Sequence, residues 1–214
     1  MDSARVATLR DLLTGSVLLD RTAGFARSLR VAGHSEGGLL LVGTPDEEPW
    51  HLTAHLSDES RYNDLPELMP TLVRWAPPPG APPHLAVGLE RLEAAGRGET
   101  VFVVAPDAAP EQLLERVSDA RRDGAVVLTV DGGDRELAGL AHDALVVPAP
   151  GSTQAAALGV PGQPEISFDL VTHLVSLAAG GNLPVARRSS LRGRLARLLD
   201  ALSGPEGSAD APVR

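Results

Sequence analysis

Residues 101 to 148 constrain the fold more than any other part of the chain, because three apolar runs, "VFVV", "AVVLTV" and "ALVV", alternate there with two helix-like stretches. Each run is apolar throughout rather than alternating in polarity, which suits a strand buried on both faces. Residues 110 to 122 and 134 to 142 read as the intervening helices, with Gly124 closing the first. Links this short between strand, helix and strand imply right-handed crossovers, and therefore a parallel sheet with helices on its faces.

The same pattern extends toward the N-terminus. "GGLLLVGT" (37 to 44) is an apolar run bounded by glycines and reads as a central strand, while "PTLVRW" (70 to 75) reads as another. With strands at 101 to 105, 125 to 130 and 144 to 148, the sheet has five. "PDEEPWHLTAHLSDES" carries an acidic first turn and a proline near the start, the marks of a helix N-terminus. The proline-rich loop 76 to 83 leads into an expected helix over 84 to 95, ended by Gly96. Residues 4 to 31 predict one or two N-terminal helices, and "EISFDLVTHLVSLAAG" (165 to 180) has the period of an amphipathic helix. A last helix is expected over 187 to 202, with leucines at 191, 195, 198, 199 and 202, followed by a tail over 203 to 214 that is too poor in apolar residues to order. The expected architecture is α/β: a doubly wound, parallel, five-stranded sheet in one domain over 1 to 186, with flanking N- and C-terminal helices.

A chain of 214 residues can bury one sizeable α/β core, and its mean hydropathy of zero fits a globular protein. It has no cysteine, which excludes disulfides, a thiol nucleophile, a Cys-based zinc site and an iron–sulfur cluster. All 19 of its basic residues are arginine, so a catalytic lysine is excluded too, and the bias reads as the coding of a GC-rich genome. A net charge of −9 opposes non-specific nucleic-acid binding, which needs a basic field. There is no signal-peptide pattern, and no run approaches the roughly 18 apolar residues of a membrane span, so a cytoplasmic location is expected. No cofactor is expected.

The segment "AVVLTVDGGDRELAGLAHDALVVP" resembles the sugar isomerase (SIS) domain family, with Gly124-Ala125, Thr129, Leu137-Ala138, Ala141 and Asp143 in matching places. The resemblance implies a flavodoxin-like fold that binds phosphosugars through the loops after its strands. By that analogy Gly43, Thr44 and Asp46 after the first strand, Asp107 after the third and Thr129 are the ligand-binding candidates. The loops themselves depart from the family pattern. A glycine and serine cluster normally wraps the phosphate with backbone N–H groups and hydroxyls. Here "VGTPDEEPW" replaces it, with Pro45 lacking an N–H and with Asp46, Glu47 and Glu48 at the anion-attracting turn, and "APDAAPEQ" replaces the usual hydroxyl-rich second loop. Each carboxylate beside a phosphate costs on the order of 1 to 4 kcal/mol. Phosphosugars are therefore expected to be repelled.

Other candidate chemistry is sparse. His51, His55 and Asp58 share one helical face with Glu59 beside them, but the glutamate of an HExxH zinc motif is replaced by Leu52, and no metal site is expected. His142 and Asp143 are adjacent on an expected helix, where neighbours point apart and cannot form a relay. Asp169 lies four residues before His173, a pairing that would raise the histidine's basicity. "GSTQ" (151 to 154) offers the one hydroxyl cluster near a strand end, and Trp50 and Trp75 read as core or interface residues. The expected function is a non-catalytic, SIS-like binding or regulatory module, homodimeric, for a carbohydrate derivative or a protein partner. The alternative is a sugar-derivative isomerase or lyase with Glu165 or His173 as base.

Overall fold

The apolar runs form five parallel strands, β1 (Leu39–Gly43), β2 (Pro70–Val73), β3 (Thr100–Ala105), β4 (Val126–Asp131) and β5 (Asp143–Val146), ordered β2-β1-β3-β4-β5. The computed structural model of the chain describes residues 16–32, 37–149, 152 and 167–182. Glu165, residues 4–15, most of the 151–154 loop, the 187–202 helix and the 203–214 tail lie outside the described residues.

This strand order is that of flavodoxin-like doubly wound sheets, in which the chain reverses its direction of growth after the second strand. The reversal makes β1 and β3 neighbours, with Val42 opposite Val103 and Gly43 opposite Val104. Crossover connections leave these two strands in opposite directions, so a crevice opens outside their C-terminal ends. β2 is an edge strand, and Pro70 stands at its first position, where a missing N–H interrupts no central ladder.

Among the described residues six α-helices flank the sheet: α1 (Val17–Ala32), α2 (Trp50–Tyr62), α3 (Glu90–Glu93), α4 (Glu111–Arg122), α5 (Arg135–Leu140) and α6 (Phe168–Ala179). Successive side chains of a strand point to opposite faces, which divides the core in two. Leu39, Leu41, Phe102, Val104, Leu128 and Val130 meet Leu18, Phe25 and Leu29 of α1, Leu52 and Leu56 of α2, and Leu174 of α6. Leu40, Val42, Val101, Val103 and Val127 meet Leu92, Leu113, Val117 and Leu137 from α3, α4 and α5. Each leucine so buried contributes about 1.5–3 kcal/mol, which explains why the central strands need no polar alternation.

Three local expectations need correction. The helix over 84–95 is broken into a 3-10 turn at Pro83–Leu85 and the four-residue α3. Residues between them are drawn into the sheet instead: Arg74 N–H donates to the Val87 carbonyl at 2.8 Å, and Arg74 pairs with Gly88 in an isolated parallel bridge. The acidic residues 46–48 precede α2 rather than forming its first turn, because the helix begins after Pro49. His142 is not helical either. Its N–H donates to the Val127 carbonyl at 2.8 Å and its Nδ1 accepts from Val127 N–H at 3.0 Å, so it ends α5 by joining β4. Among the described residues no helix is long and apolar enough to cross a membrane.

Candidate functional site

The loop after β1 folds back on the strand it leaves. Glu47 N–H donates to the Thr44 carbonyl at 3.2 Å, closing a tight turn. The Glu47 carbonyl thereby lies over Gly43, where any Cβ would collide with it and would stand 2.9 Å from Pro49 Cδ. Thr44 is buried, whereas Asp46 and Glu47 are exposed. The place in which a phosphate-binding loop would aim N–H groups outward is thus filled by the chain's own backbone, with a carbonyl turned inward.

Glu48 holds this loop to the neighbouring strand. Its carboxylate pairs with Arg74 Nε at 2.9 Å and accepts Trp50 Nε1–H at 2.9 Å and Trp75 N–H at 3.3 Å. Trp75 Nε1–H donates to the Gly43 carbonyl at 2.8 Å, and the Arg74 guanidinium lies 4.6 Å from the Trp50 ring centroid. The chain's two tryptophans therefore converge on one turn. Trp50 remains 40% exposed, which leaves part of its indole available at the surface.

Beside this cluster a cleft of about 210 Å³ opens at the ends of β1 and β3, lined by Glu47, Glu48, Trp50, His51, Val104 and, from α6, Phe168, Asp169 and Thr172. α6 reaches the cleft through its first turn, which is capped by Ser167 Oγ accepting Leu170 N–H at 3.2 Å. Three carboxylates border the space and, among the described residues, only that of Glu48 has an arginine partner. The arrangement offers hydrogen-bond acceptors and an aromatic face, and its net charge disfavours anions. A larger cavity, about 670 Å³, lies at the opposite end of the strands beside α1. Of its polar side chains, Ser28 Oγ–H donates to Asp143 Oδ2 at 2.6 Å and His142 Nδ1 is held by Val127, while Arg27 stands exposed at its edge. The smaller cleft is the better candidate, since it stands at the topological switch point.

Asp107 lies exposed in the loop after β3. That loop is fastened to the one after β4 by Asp134, which accepts N–H groups of Ala109 at 2.8 Å, Glu136 at 2.9 Å and Leu137 at 3.2 Å. Burial alone would raise the pKa of Asp134, but these donors hold it below the usual carboxylate value. Gly132 lets the loops close, because a Cβ there would strike the Pro106 carbonyl. Thr129 has no exposed surface and donates its hydroxyl to Asp131 Oδ2 at 2.8 Å, while Asp131 Oδ1 accepts Gly133 N–H at 2.8 Å. The sequence candidates thus separate: Gly43 and Thr44 are buried in the turn that carries Glu47 to the cleft without lining it, Asp46 and Asp107 are solvent-facing, and Thr129 is engaged inside the sheet.

The histidines are arranged differently from the sequence expectation. His51 lines the cleft, and one turn further along α2 His55 meets His173 of α6, ring centroids 4.3 Å apart. Burial, followed by the nearby His55, lowers the pKa of His173, and Asp169 opposes this without reversing it. Asp169 thus acts in the expected direction, raising the basicity of His173, but burial and His55 outweigh it. His55 is lowered as well, by burial first, with Asp58 opposing and His51 adding. Glu59 turns away to Asn63 and Asn182, each at 2.7 Å, and burial raises its pKa. Among the described residues no three His, Asp or Glu side chains are grouped so as to hold a metal ion.

Sequence reasoning missed the Glu48–Arg74–Trp50–Trp75 cluster and the histidine contact. The signal for the first was the placing of a tryptophan shortly after each of two adjacent strands, which becomes informative only once β1 and β2 are known to pair in register.

No protein-family model matches the sequence, and no curated protein matches it. Solved structures of similar layout belong to sugar isomerase and sugar-binding proteins. The sugar isomerase domain of the RpiR transcription factor from Sphaerobacter thermophilus is 14% identical, with a TM-score of 0.48 over 87% of this chain and 90% of that one. The Vibrio vulnificus NanR protein complexed with ManNAc-6P is 12% identical, with a TM-score of 0.46 over 94% and 71%. A Salmonella typhimurium protein named for sugar binding is 15% identical, with a TM-score of 0.47, and the present chain covers 51% of its length. These superpositions transfer no residue role to this chain.

Proposed function

We propose that the chain is a non-catalytic binding or regulatory module whose ligand is an unphosphorylated carbohydrate derivative, held in the cleft between the ends of β1 and β3. The observation that carries this reading is the self-closed turn after β1: the Glu47 carbonyl covers Gly43, and carboxylates rather than N–H groups border the cleft. Acceptors of this kind suit the hydroxyl hydrogens of a sugar, and the exposed part of Trp50 suits its apolar face. They oppose a phosphate.

The alternative, a sugar-derivative isomerase or lyase, needs a base at the cleft. Burial lowers the pKa of His173 and so favours its proton-accepting form, but its buried Nδ1 lies in the seam between α2 and α6, and the cleft's described lining takes Asp169 and Thr172 from that helix instead. Self-association as a homodimer belongs to the same proposal. Its ground is the leucine stripe read in the sequence over 187 to 202, which lies outside the described residues. Light scattering that gives a strict monomer at micromolar concentration removes this part.

A thermal-shift screen of the full chain against neutral sugars, amino sugars, sugar acids and sugar phosphates tests the main reading. A ligand at a hundredfold excess over its Kd adds roughly 2.7 kcal/mol of stability. Stabilisation by an unphosphorylated compound is expected. A panel in which only sugar phosphates stabilise the protein overturns the reading.

A further inference from the structure

α2 and α6 pack along a line that starts at the cleft and runs inward to the histidine pair. His51 and Asp169 line the cleft, and His55 and His173 stand one helical turn beyond them. The rings meet at an interplanar angle of 75°, so that the positive edge of one faces the π surface of the other. Both side chains are partly buried, and His173 Nδ1 has neither solvent nor a hydrogen-bond partner. A proton on either ring sets a cation against a second imidazole in a seam with little water to solvate it.

The charged and titratable groups that act on the pair are Asp58 and His51 from α2, Asp169 from α6 and the chain's N-terminal amino group, whose positive charge opposes an added proton. Glu59, on the next turn of α2, is occupied by Asn63 and Asn182. The buried face of α1, which packs on α6, consists of Leu18, Leu19, Thr22, Phe25, Leu29 and alanines, and holds no titratable group. Leu68 of the 3-10 turn Pro66–Leu68 is likewise apolar where it joins the same core. Among the described residues neither aspartate is bonded to a ring, and no buried acid lies against the pair to neutralise an added proton.

We propose that the contact between His55 and His173 is a proton-operated latch on the cleft, whose protonation frees α6 from α2 and withdraws the wall that carries Asp169 and Thr172. Its role in ligand control rests on the cleft reading given above, whereas the latch itself is a property of the protein without ligand.

Burial holds both rings below the ordinary imidazole value of 6.5, so the latch is closed at neutral pH. The opened form titrates near 6.5 and binds more protons than the closed form just below that value. Closure is therefore complete above about pH 6.5 and weakens as pH falls toward the lowered values, by roughly tenfold in the opening constant per pH unit for one proton.

Amide hydrogen exchange of the full chain without added ligand, at about pH 7.5 and about pH 5.5 and corrected for the intrinsic rate, reads this directly. The opening constant of α6 is expected to rise at the lower pH, by up to roughly tenfold for one proton, while β3 and β4 stay unchanged, and His55→Gln and His173→Gln are expected to flatten the response. An α6 that exchanges equally at both pH values overturns the latch, as does an equal pH response in the variants. If either variant fails to fold, imidazole proton titration of the wild type by NMR decides: values below 6.5 for both rings support the latch, and values at or above 6.5 overturn it. Failure of every sugar to bind would sink the cleft reading and leave these exchange results standing.

Discussion

On one side of the sheet, Leu92, Leu113, Val117 and Leu137 of α3, α4 and α5 meet apolar strand residues, and the loops beyond β3 and β4 are locked together through Asp134. On the other side, α1, α2 and α6 bring comparable leucines to the same strands, but among them stand His55 and His173, with Thr172 and Ser176 buried nearby on α6. The first layer spends its side chains on packing and loop closure. The second carries the histidine pair and, among the described residues, it alone of the two layers borders the cleft at the switch point. A binding site that must open belongs where packing is interrupted by polar and titratable groups, and the α2–α6 seam is such a place.

Substitutions can break this contrast, beginning with the layer that anchors the fold. Leu113→Ala removes a fully buried side chain and is expected to lower unfolding free energy by about 2–5 kcal/mol in urea, without altering the dependence on pH. A loss below about 1 kcal/mol would show that this layer is looser than its packing implies. Gly43→Ala forces the turn after β1 away from the strand and is expected to cost about 1–3 kcal/mol, together with ligand binding at the cleft. A variant that melts like the wild type would mean that the turn moves freely. Removing Asp134 as Asp134→Ala takes away the cap of α5 and the tie to Ala109, with an expected loss of about 0.5–2 kcal/mol. Its effect should vanish in acid once the carboxylate is protonated, because a lowered pKa gives stability that is present above the unfolded value and lost as pH falls through the folded one.

The smallest expected effect concerns charge alone. Replacing Asp46 and Glu47 by serine, with Glu48 retained for its pairing with Arg74, should make weak phosphate binding detectable, and added salt should weaken it. No gain would place the exclusion of phosphate in the inward-turned backbone rather than in the carboxylates.

The strands over 101 to 148 were legible in the sequence because a strand buried on both faces must be apolar throughout, and that signal is local. The broken helix at 84–95 was not, since its fate depends on Arg74 and Gly88 pairing across a sheet edge. Glu48 looked like a free charge in a run of three, but its partner Arg74 lies beyond the next strand and is brought near only by the parallel register of β1 and β2. His173 looked paired with Asp169 because residues four apart on a helix are neighbours, whereas tertiary packing gave its ring to His55 on another helix. In each case the misread side chain was settled by a partner distant in sequence.

The account turns on which ligand the cleft accepts. Titration calorimetry of the full chain with an unphosphorylated sugar from the screen and with its phosphate ester, at low salt and neutral pH, tests this most directly. Measurable heat of binding is expected for the free sugar and none for the ester. Binding of the phosphate ester tighter than about 100 µM, roughly −5.5 kcal/mol, with the free sugar inert, would contradict it.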